Sequence, residues 1–369
     1  MEENSLIKYE GGLVQRVGDA ISVTNKLLAL AEPHLIPYRK KDKWGFCTPD
    51  KKIVIDCKYD KTFPFSDGLA QFILNEKFGY INKHGDVIIE SKYDWANVFK
   101  NGHALIKRNE KFGIINDKNE NVLETIYEYI DPFNKDEEHF IVRLNGKMGI
   151  ISQKGIHVTE LIYDKLDHFV DGIASFKINN KVGIIDRDGI EIIPGIYNSA
   201  SILSKKFILV ETDNNNFFYI NMHNERVSTK NKEFASIFSE GLAIFPDYTN
   251  MKYGFTDAIT WEIIVPFIYE KVSSFIDGWA KVKLEGKHGF IDRNGNQTIA
   301  CKYQELGDFK NGLAYFKLND KYGYIDKKEQ VRIDPIYDNA CDFKNGIAKV
   351  CAENLEGYIN EEGMQYWED

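Results

Sequence analysis

The sequence predicts an all-β fold: a tandem array of about ten copies of one unit of roughly 35 residues. Three observations lead there. A bulky residue followed by glycine recurs at Trp44-Gly45, Phe78-Gly79, Phe112-Gly113, Met148-Gly149, Val182-Gly183, Tyr253-Gly254, His288-Gly289, Tyr322-Gly323 and Glu356-Gly357. Phe217-Phe218 fills the one gap, so the steps stay between 34 and 36 residues. Other columns keep the same step: Tyr59, Tyr93, Tyr127, Tyr163, Tyr197, Tyr269, Tyr303 and Tyr337; Phe65, Phe99, Phe169, Phe275, Phe309 and Phe343; Ala70, Ala104, Ala174, Ala280, Ala314 and Ala348. Finally, a turn bearing Gly or Asn falls about every ten residues, with Ile, Val, Phe and Tyr between. That leaves no room for the paired helices of helical repeats with a period near 34.

Each unit reads as three short strands. In the unit from Gly102 to Tyr127, His103 to Arg108 is the first strand and Asn109-Glu110 a two-residue turn. Other units place Asn145-Gly146, Asn179-Asn180 or Glu285-Gly286 there, residues that tolerate the positive φ of a tight hairpin. The second strand, Phe112 to Asn116, leads into an Asp/Asn-x-x-Gly turn, as at Asn82 with Gly85 and Asp292 with Gly295. The third strand corresponds to Asp86-Val87-Ile88-Ile89. One such sheet is marginal alone and must bury its aromatic columns against its neighbours. The strand glycine leaves space for a ring or another backbone.

These columns resemble the bacterial WG-repeat family, whose unit reads approximately K-W-G-Y-I-D-x-x-G-x-x-V-I-x-P-x-Y-D-x-x-x-x-F-x-x-G-x-A-x-V. The segment Lys321 to Val350 is close to that whole pattern, and the resemblance runs from Leu35 to the C-terminus. Only Trp44 supplies the family's Trp. The resemblance implies a β-rich repeat found in proteins of varied context, and no particular activity.

The array, residues 35–369, is expected to stack as an open superhelix or solenoid, because the units read as whole at both ends; the alternative is a closed β-propeller. Residues 1–34 lie outside the repeat. Leu13, Val14, Val17, Ala20, Ile21, Leu27, Leu28 and Ala31 recur at helical spacing and predict a short N-terminal helix that caps the array or docks a partner.

The net charge of -9, with no basic run beyond Arg39-Lys40-Lys41 and Lys43, argues against a nucleic-acid partner. No run approaches the ~18 apolar residues of a membrane span. Five cysteines, an odd number with no CxxC pair, argue against a disulfide framework or a zinc knuckle and fit a reducing cytoplasm. The N-terminus has no apolar core of a signal peptide. The eight His make no HxH or HExxH, and GxSxG, P-loop and GxGxxG motifs are absent, so the expectation is a non-enzyme without cofactor or metal. The expected function is a scaffold for a protein partner or for ligand sensing, because repeat arrays offer extended surfaces of equivalent positions. Carbohydrate or cell-envelope glycan binding by exposed aromatic rings is the alternative. Candidate binding residues are the Lys column before the bulky-Gly pair, Lys77, Lys111, Lys147, Lys181, Lys287 and Lys321, which equally suits solvation and edge protection. The drifted unit from Phe207 to Phe238 and the insertion after it add Asn214, Asn215 and Tyr248.

Overall fold

A computed structural model describes residues 34–131, 139–170, 172–204, 207–213, 216–227, 237–247, 249–257, 260 and 262–369. These form ten sheets, antiparallel except for one closing pair, numbered here as blades 1 to 10 from the N-terminus. Blade 2 shows the plan. Its strands Lys61–Thr62, Leu69–Leu74, Lys77–Asn82 and Val87–Tyr93 lie in that order across the sheet. The second and third strands pair from Leu69↔Asn82 to Leu74↔Lys77. Asn75 (φ 52) and Glu76 (φ 62) close them with the two positive φ values that the hairpin predicts.

The repeated glycine has a specific task. The fourth strand pairs with the third at Phe78↔Tyr93, Tyr80↔Ile89 and Ile81↔Val87, with extra residues bulging between these contacts. The bulge brings a backbone carbonyl over the glycine. A Cβ on Gly79 would stand 2.7 Å from the Ile89 carbonyl oxygen, one on Gly183 2.5 Å from that of Ile193, and one on Gly323 2.5 Å from that of Ile333. Blade 6 carries Phe218 in this column. There the third strand, Phe217–Ile220, meets the described part of the segment after it at an isolated bridge, Ile220↔Arg226, and through the Val227 amide to the Tyr219 carbonyl at 2.9 Å, and the Arg226 guanidinium lies 3.8 Å over the Phe218 ring.

The core sits between blades. Tyr80 and Ile89 of blade 2 pack with Phe99, Ala104 and Ile115 of blade 3, and Tyr324 and Ile333 of blade 9 with Phe343, Ala348 and Ile359 of blade 10. The columns expected inside are mostly there: Tyr93, Phe99, Ala104, Tyr303 and Ala314 are buried. Phe309 is only half-buried, with Trp279 packed edge-on beside it at a ring-centroid distance of 5.5 Å.

The expected open superhelix is wrong. Most units carry a fourth, two-residue strand two residues after the column Tyr, as at Lys61–Thr62, Trp95–Ala96 and Glu305–Leu306, and it pairs into the following sheet. Blade 1 therefore has three strands of its own, Ile36–Lys40, Lys43–Cys47 and Ile53–Tyr59, and Trp367–Glu368 fills the first-strand place beside Ile36–Lys40. That pairing is parallel, Arg39↔Trp367 and Lys40↔Glu368. The Arg39 amide donates to the Tyr366 carbonyl at 3.3 Å and the Lys41 amide to that of Glu368 at 2.7 Å. Ile36, Tyr38, Trp44 and Cys47 share one core cluster with Ile347, Tyr358 and Tyr366. The units that read as whole at both ends are thus offset by one strand, and the array closes into a ten-bladed β-propeller.

Glu356 clasps this seam. It breaks the bulky column, and its carboxylate meets Lys61 of blade 2 at 2.5 Å and Lys349 of blade 10 at 2.8 Å, while its carbonyl accepts from Arg39 Nε at 3.0 Å. Burial alone would raise this carboxyl; Lys349 and Lys61 outweigh it and hold it below the usual glutamate value. No helix occurs among the described residues, and the helical reading of residues 1–33 lies outside them.

Candidate interaction surfaces

The antiparallel order puts the two-residue hairpin turns and the crossings between blades on one side of the ring. The loops after the short strands and the Asp/Asn-x-x-Gly turns lie on the other. The lysine column stands on the hairpin side, at the start of each third strand. Most of these third strands are interior, as those of Lys77, Lys111, Lys181, Lys287 and Lys321 are, so edge protection is not their general task. Instead most of them meet the acid that follows the Tyr column. Lys43 contacts Asp60 at 2.7 Å, Lys77 contacts Asp94 at 2.5 Å, Lys147 contacts Asp164 at 2.5 Å, and Lys321 pairs with Asp338. The fit is looser at Lys111–Glu128, 3.8 Å, and Lys252–Glu270, 3.6 Å. The same carboxylates accept a turn amide from the next blade, Asn75 to Asp60 at 2.8 Å and Asn109 to Asp94 at 2.7 Å. Each stitch therefore joins two blades.

The hydrogen bond from Lys43, Lys77, Lys147 or Lys321 holds Asp60, Asp94, Asp164 and Asp338 below the usual aspartate range. Lys181 finds Asn198 at 3.0 Å in the acid position and also pairs with Asp213. Lys287 faces a column position occupied by uncharged Gln304. Asn214, Asn215 and Tyr248 lie outside the described residues.

Most members of the Tyr and Phe columns are buried, which leaves little stacking surface to a sugar. The large aromatics exposed among the described residues are Trp95, Tyr129 and Phe217. Trp95 and Tyr129 open the short strands of adjacent blades 3 and 4, at 39% and 37% exposure, where other blades place Lys61, Lys165, Ser199, Lys271, Glu305 or Asn339. Each stands across from a cation in strand register, Trp95↔Lys107 and Tyr129↔Arg143. Lys107 is held by Glu110 at 2.6 Å, and Arg143 Nη2 donates to Met148 Sδ at 3.4 Å. Burial raises the Tyr129 hydroxyl, and Asp131 adds to it, so the ring stays neutral. Sequence reasoning missed this pair. The signal was present: both residues follow the Tyr-acid column directly, and only there is the following position aromatic.

On the opposite side, exposed His168 bonds through Nδ1 to the buried Asp131. Ser175 donates to Asp167 at 2.5 Å rather than to His168, so this histidine holds no hydroxyl nucleophile. No group of three or more His, Cys, Asp or Glu is arranged to hold a metal among the described residues. No helix among them is long and apolar enough to cross a membrane. An open groove at the junction of blades 2 and 3, about 510 Å³, gathers Lys92, Arg108 and Lys111 around Glu124, with the Tyr93 hydroxyl donating to Asn119 at 2.9 Å.

A closed ring of tandem β units, with inter-blade stitches and one aromatic departure on its hairpin side, is a repeat β-propeller. The chain belongs to the WG-repeat family: the model of the WG containing repeat matches residues 44–78, 78–112, 112–147, 148–181, 183–215, 253–287, 289–322 and 322–355. The gap between the matches at 183–215 and 253–287 contains Phe218 and the rest of the drifted unit. No curated protein matches the chain. Among solved structures it is similar to a eukaryotic initiation factor, at 9% identity and a TM-score of 0.49 over 80% of this chain and 93% of that one. It is similar to BamB from Moraxella catarrhalis at 11% identity and a TM-score of 0.31, over 72% of this chain and 80% of that one. For AztD from Citrobacter koseri the values are 10% and 0.32, over 80% and 92%. Likenesses this distant carry nothing about function.

Proposed function

We propose that this propeller is a non-catalytic scaffold whose hairpin side binds a protein partner, with Trp95 and Tyr129 as anchors. The observation that carries the reading is the departure itself: two adjacent blades expose large aromatic rings at a position that holds Lys61, Lys165, Ser199, Lys271, Glu305 or Asn339 in six other blades. Exposed aromatics flanked by Arg and Lys make the energetic centres of protein interfaces, and each ring offers a large contact area at a small entropy cost. The lysine column is less suited to this, since most of its members already serve a carboxylate. The five free cysteines accord with work in a reducing cytoplasm, without nucleic acid or membrane as partner.

The test is capture of partners from native lysate by the full chain and by Trp95→Ala/Tyr129→Ala. Loss of two anchors weakens binding on the order of 30-fold or more. A discrete protein retained by the wild type and depleted from the variant, at unchanged melting temperature, supports the proposal. An identical set of captured proteins contradicts it. Retention of a defined oligosaccharide instead, lost in the same variant, would turn the reading toward glycan binding.

A further inference from the structure

The groove at the junction of blades 2 and 3 coincides with a departure of blade 3 from the repeat. The residue that ends the second strand, just before the hairpin turn, is Leu74, Leu144, Ile178, Leu284 and Leu318 in blades 2, 4, 5, 8 and 9. Leu74, Leu144, Ile178 and Leu284 pack against the core clusters beside them. Blade 3 places Arg108 there, and this side chain lines the groove. Arg108 is exposed and forms no hydrogen bond or ion pair among the described residues. The other long cation at this repeat position, Lys40 of blade 1, is met by Glu368 at 3.3 Å.

A second departure leaves Lys92 without a counter-charge. Its Nζ lies 5.2 Å from the Tyr93 ring centroid, and the Tyr93 hydroxyl donates to Asn119 at 2.9 Å. The junction of blades 8 and 9 builds the same arrangement around an acid. Lys302 Nζ lies 5.3 Å from the Tyr303 centroid, Tyr303 donates to Glu329 at 3.1 Å, and Lys302 pairs with Glu329 at 2.8 Å. Asn119 occupies the repeat position of Glu329, so Lys92 faces an uncharged amide. Lys111, the third cation of the groove, has the loosest of the lysine–acid stitches, 3.8 Å to Glu128, which also accepts the Gly146 amide at 3.1 Å. Two further carboxylates are nearby. Glu124 lines the groove and accepts from Asn121 Nδ2 at 3.0 Å. Asp94 is taken by Lys77 and by the Asn109 amide.

Arg108, Lys92 and Lys111 set against Glu124 and Glu128 leave one positive charge in excess, in a concavity of about 510 Å³ that side-chain amides also line. That volume is in the range of small-molecule sites. We propose that this groove binds a small polar carboxylic acid, its carboxylate in the fork of Arg108 beside Lys92 and its hydroxyl or amide groups on Asn109, Asn119 and Asn121. A guanidinium presents paired N–H donors in the plane that a carboxylate matches, and Lys92 adds a point charge. A single excess charge suits one carboxylate better than a phosphate monoester, which approaches two negative charges at neutral pH. The exposed Ile126 at the edge of the groove offers an apolar contact to the rest of the ligand. The site is distinct from Trp95 and Tyr129 and does not depend on the function assigned to them.

Saturation-transfer NMR on the full chain tests this with two matched pairs of probes, glucuronate against glucose and N-acetylalanine against N-acetylalaninamide. At least one acid should show saturable binding that its neutral partner lacks. Binding of glucuronate assigns a hydroxy acid, and binding of N-acetylalanine an amido acid. Arg108→Leu installs the residue that blades 2, 4, 8 and 9 carry, so the fold should keep its melting temperature while the acid binds at least about tenfold more weakly. Binding of neither acid, equal binding of acid and neutral partner, or equal binding to Arg108→Leu overturns the proposal. Binding of inorganic phosphate alone overturns it as well. A second measurement needs no variant. Phenylglyoxal modification of Arg108, followed by peptide mass spectrometry, should slow several-fold in the presence of the acid that binds, with exposed Arg332 in blade 9 unaffected. An unchanged rate at Arg108 would place the acid elsewhere and overturn the assignment.

Discussion

The seam between blades 9 and 10 and the seam between blades 10 and 1 solve the same problem with different material. At the first, one continuous chain crosses. Tyr337 ends one sheet, Asp338 takes Lys321, Asn339–Ala340 enters the next sheet, and Phe343 settles on Tyr324. Strand, ion pair and plug come from seven consecutive residues. At the second, distant segments are brought together. A parallel pair replaces the short strand, Glu356 with Lys61 and Lys349 replaces the Lys–Asp stitch, and a cavity of about 240 Å³ lies between the loops of blades 10 and 2. Closure reproduces the polar parts of a seam from non-local residues.

The comparison breaks most severely if the closing strand is removed. Ending the chain at Gly363 takes away Tyr366, which is 1% exposed, and leaves Ile36–Lys40 as an open edge. The expected cost is about 4 kcal/mol or more, with aggregation through the bared edge. Thermal unfolding and size-exclusion chromatography check it, and an unchanged melting temperature would show that the seam contributes nothing.

A smaller effect sharpens the contrast between Phe343 and Phe65, which lines the cavity. Phe343→Ala, in a filled seam, should cost ~3–5 kcal/mol, whereas Phe65→Ala, beside the cavity, should cost about 1–2 kcal/mol. Urea unfolding measures both, and equal costs would mean that the cavity does not loosen Phe65. Next come the glycines. Gly323→Ala drives a Cβ to 2.5 Å from the Ile333 carbonyl and should cost ~2–4 kcal/mol. Gly312→Ala meets no atom within 4 Å and is penalised only by its φ of +83, about 1 kcal/mol. The reverse ranking in chemical denaturation would mean that the bulge, and not the turn, tolerates a side chain.

The smallest effect concerns the stitches. Asp60, Asp94, Asp164 and Asp338 have their acid constants depressed in the fold. Their contribution is therefore fully present above the ordinary aspartate value of ~3.9 and fades as pH falls through the lower folded values. Asp338→Asn should flatten the fall in melting temperature below about pH 4, and an unaltered pH profile would remove the stitch from the account.

The strand content, the hairpin turns and the inward columns were legible because they obey local rules. Asn109-Glu110 needs positive φ, and Tyr93 and Phe99 recur at fixed phase only if buried. Ring closure was not legible, because it turns on strands of two residues. Lys61–Thr62 carries no alternation to detect, and its assignment to the next sheet depends on pairing with Phe72 and Ile73, which the sequence does not display. The lysine column was visible, but its carboxylate partner lies 17 residues on and meets it only once the fourth strand has crossed back. Trp95 and Tyr129 were passed over for the related reason that the strand they open had not been recognised.

Small-angle X-ray scattering of the monodisperse full chain tests ring closure most directly. A compact chain of this length has a radius of gyration near 21 Å. A closed propeller should fall between about 21 and 26 Å, with a distance distribution that drops steeply to its maximum. Ten units stacked openly at ~10 Å would form a rod of about 100 Å, with a radius of gyration near 29 Å or above and a long tapering distribution. The first result is the one expected here, and the second would contradict the closed ring.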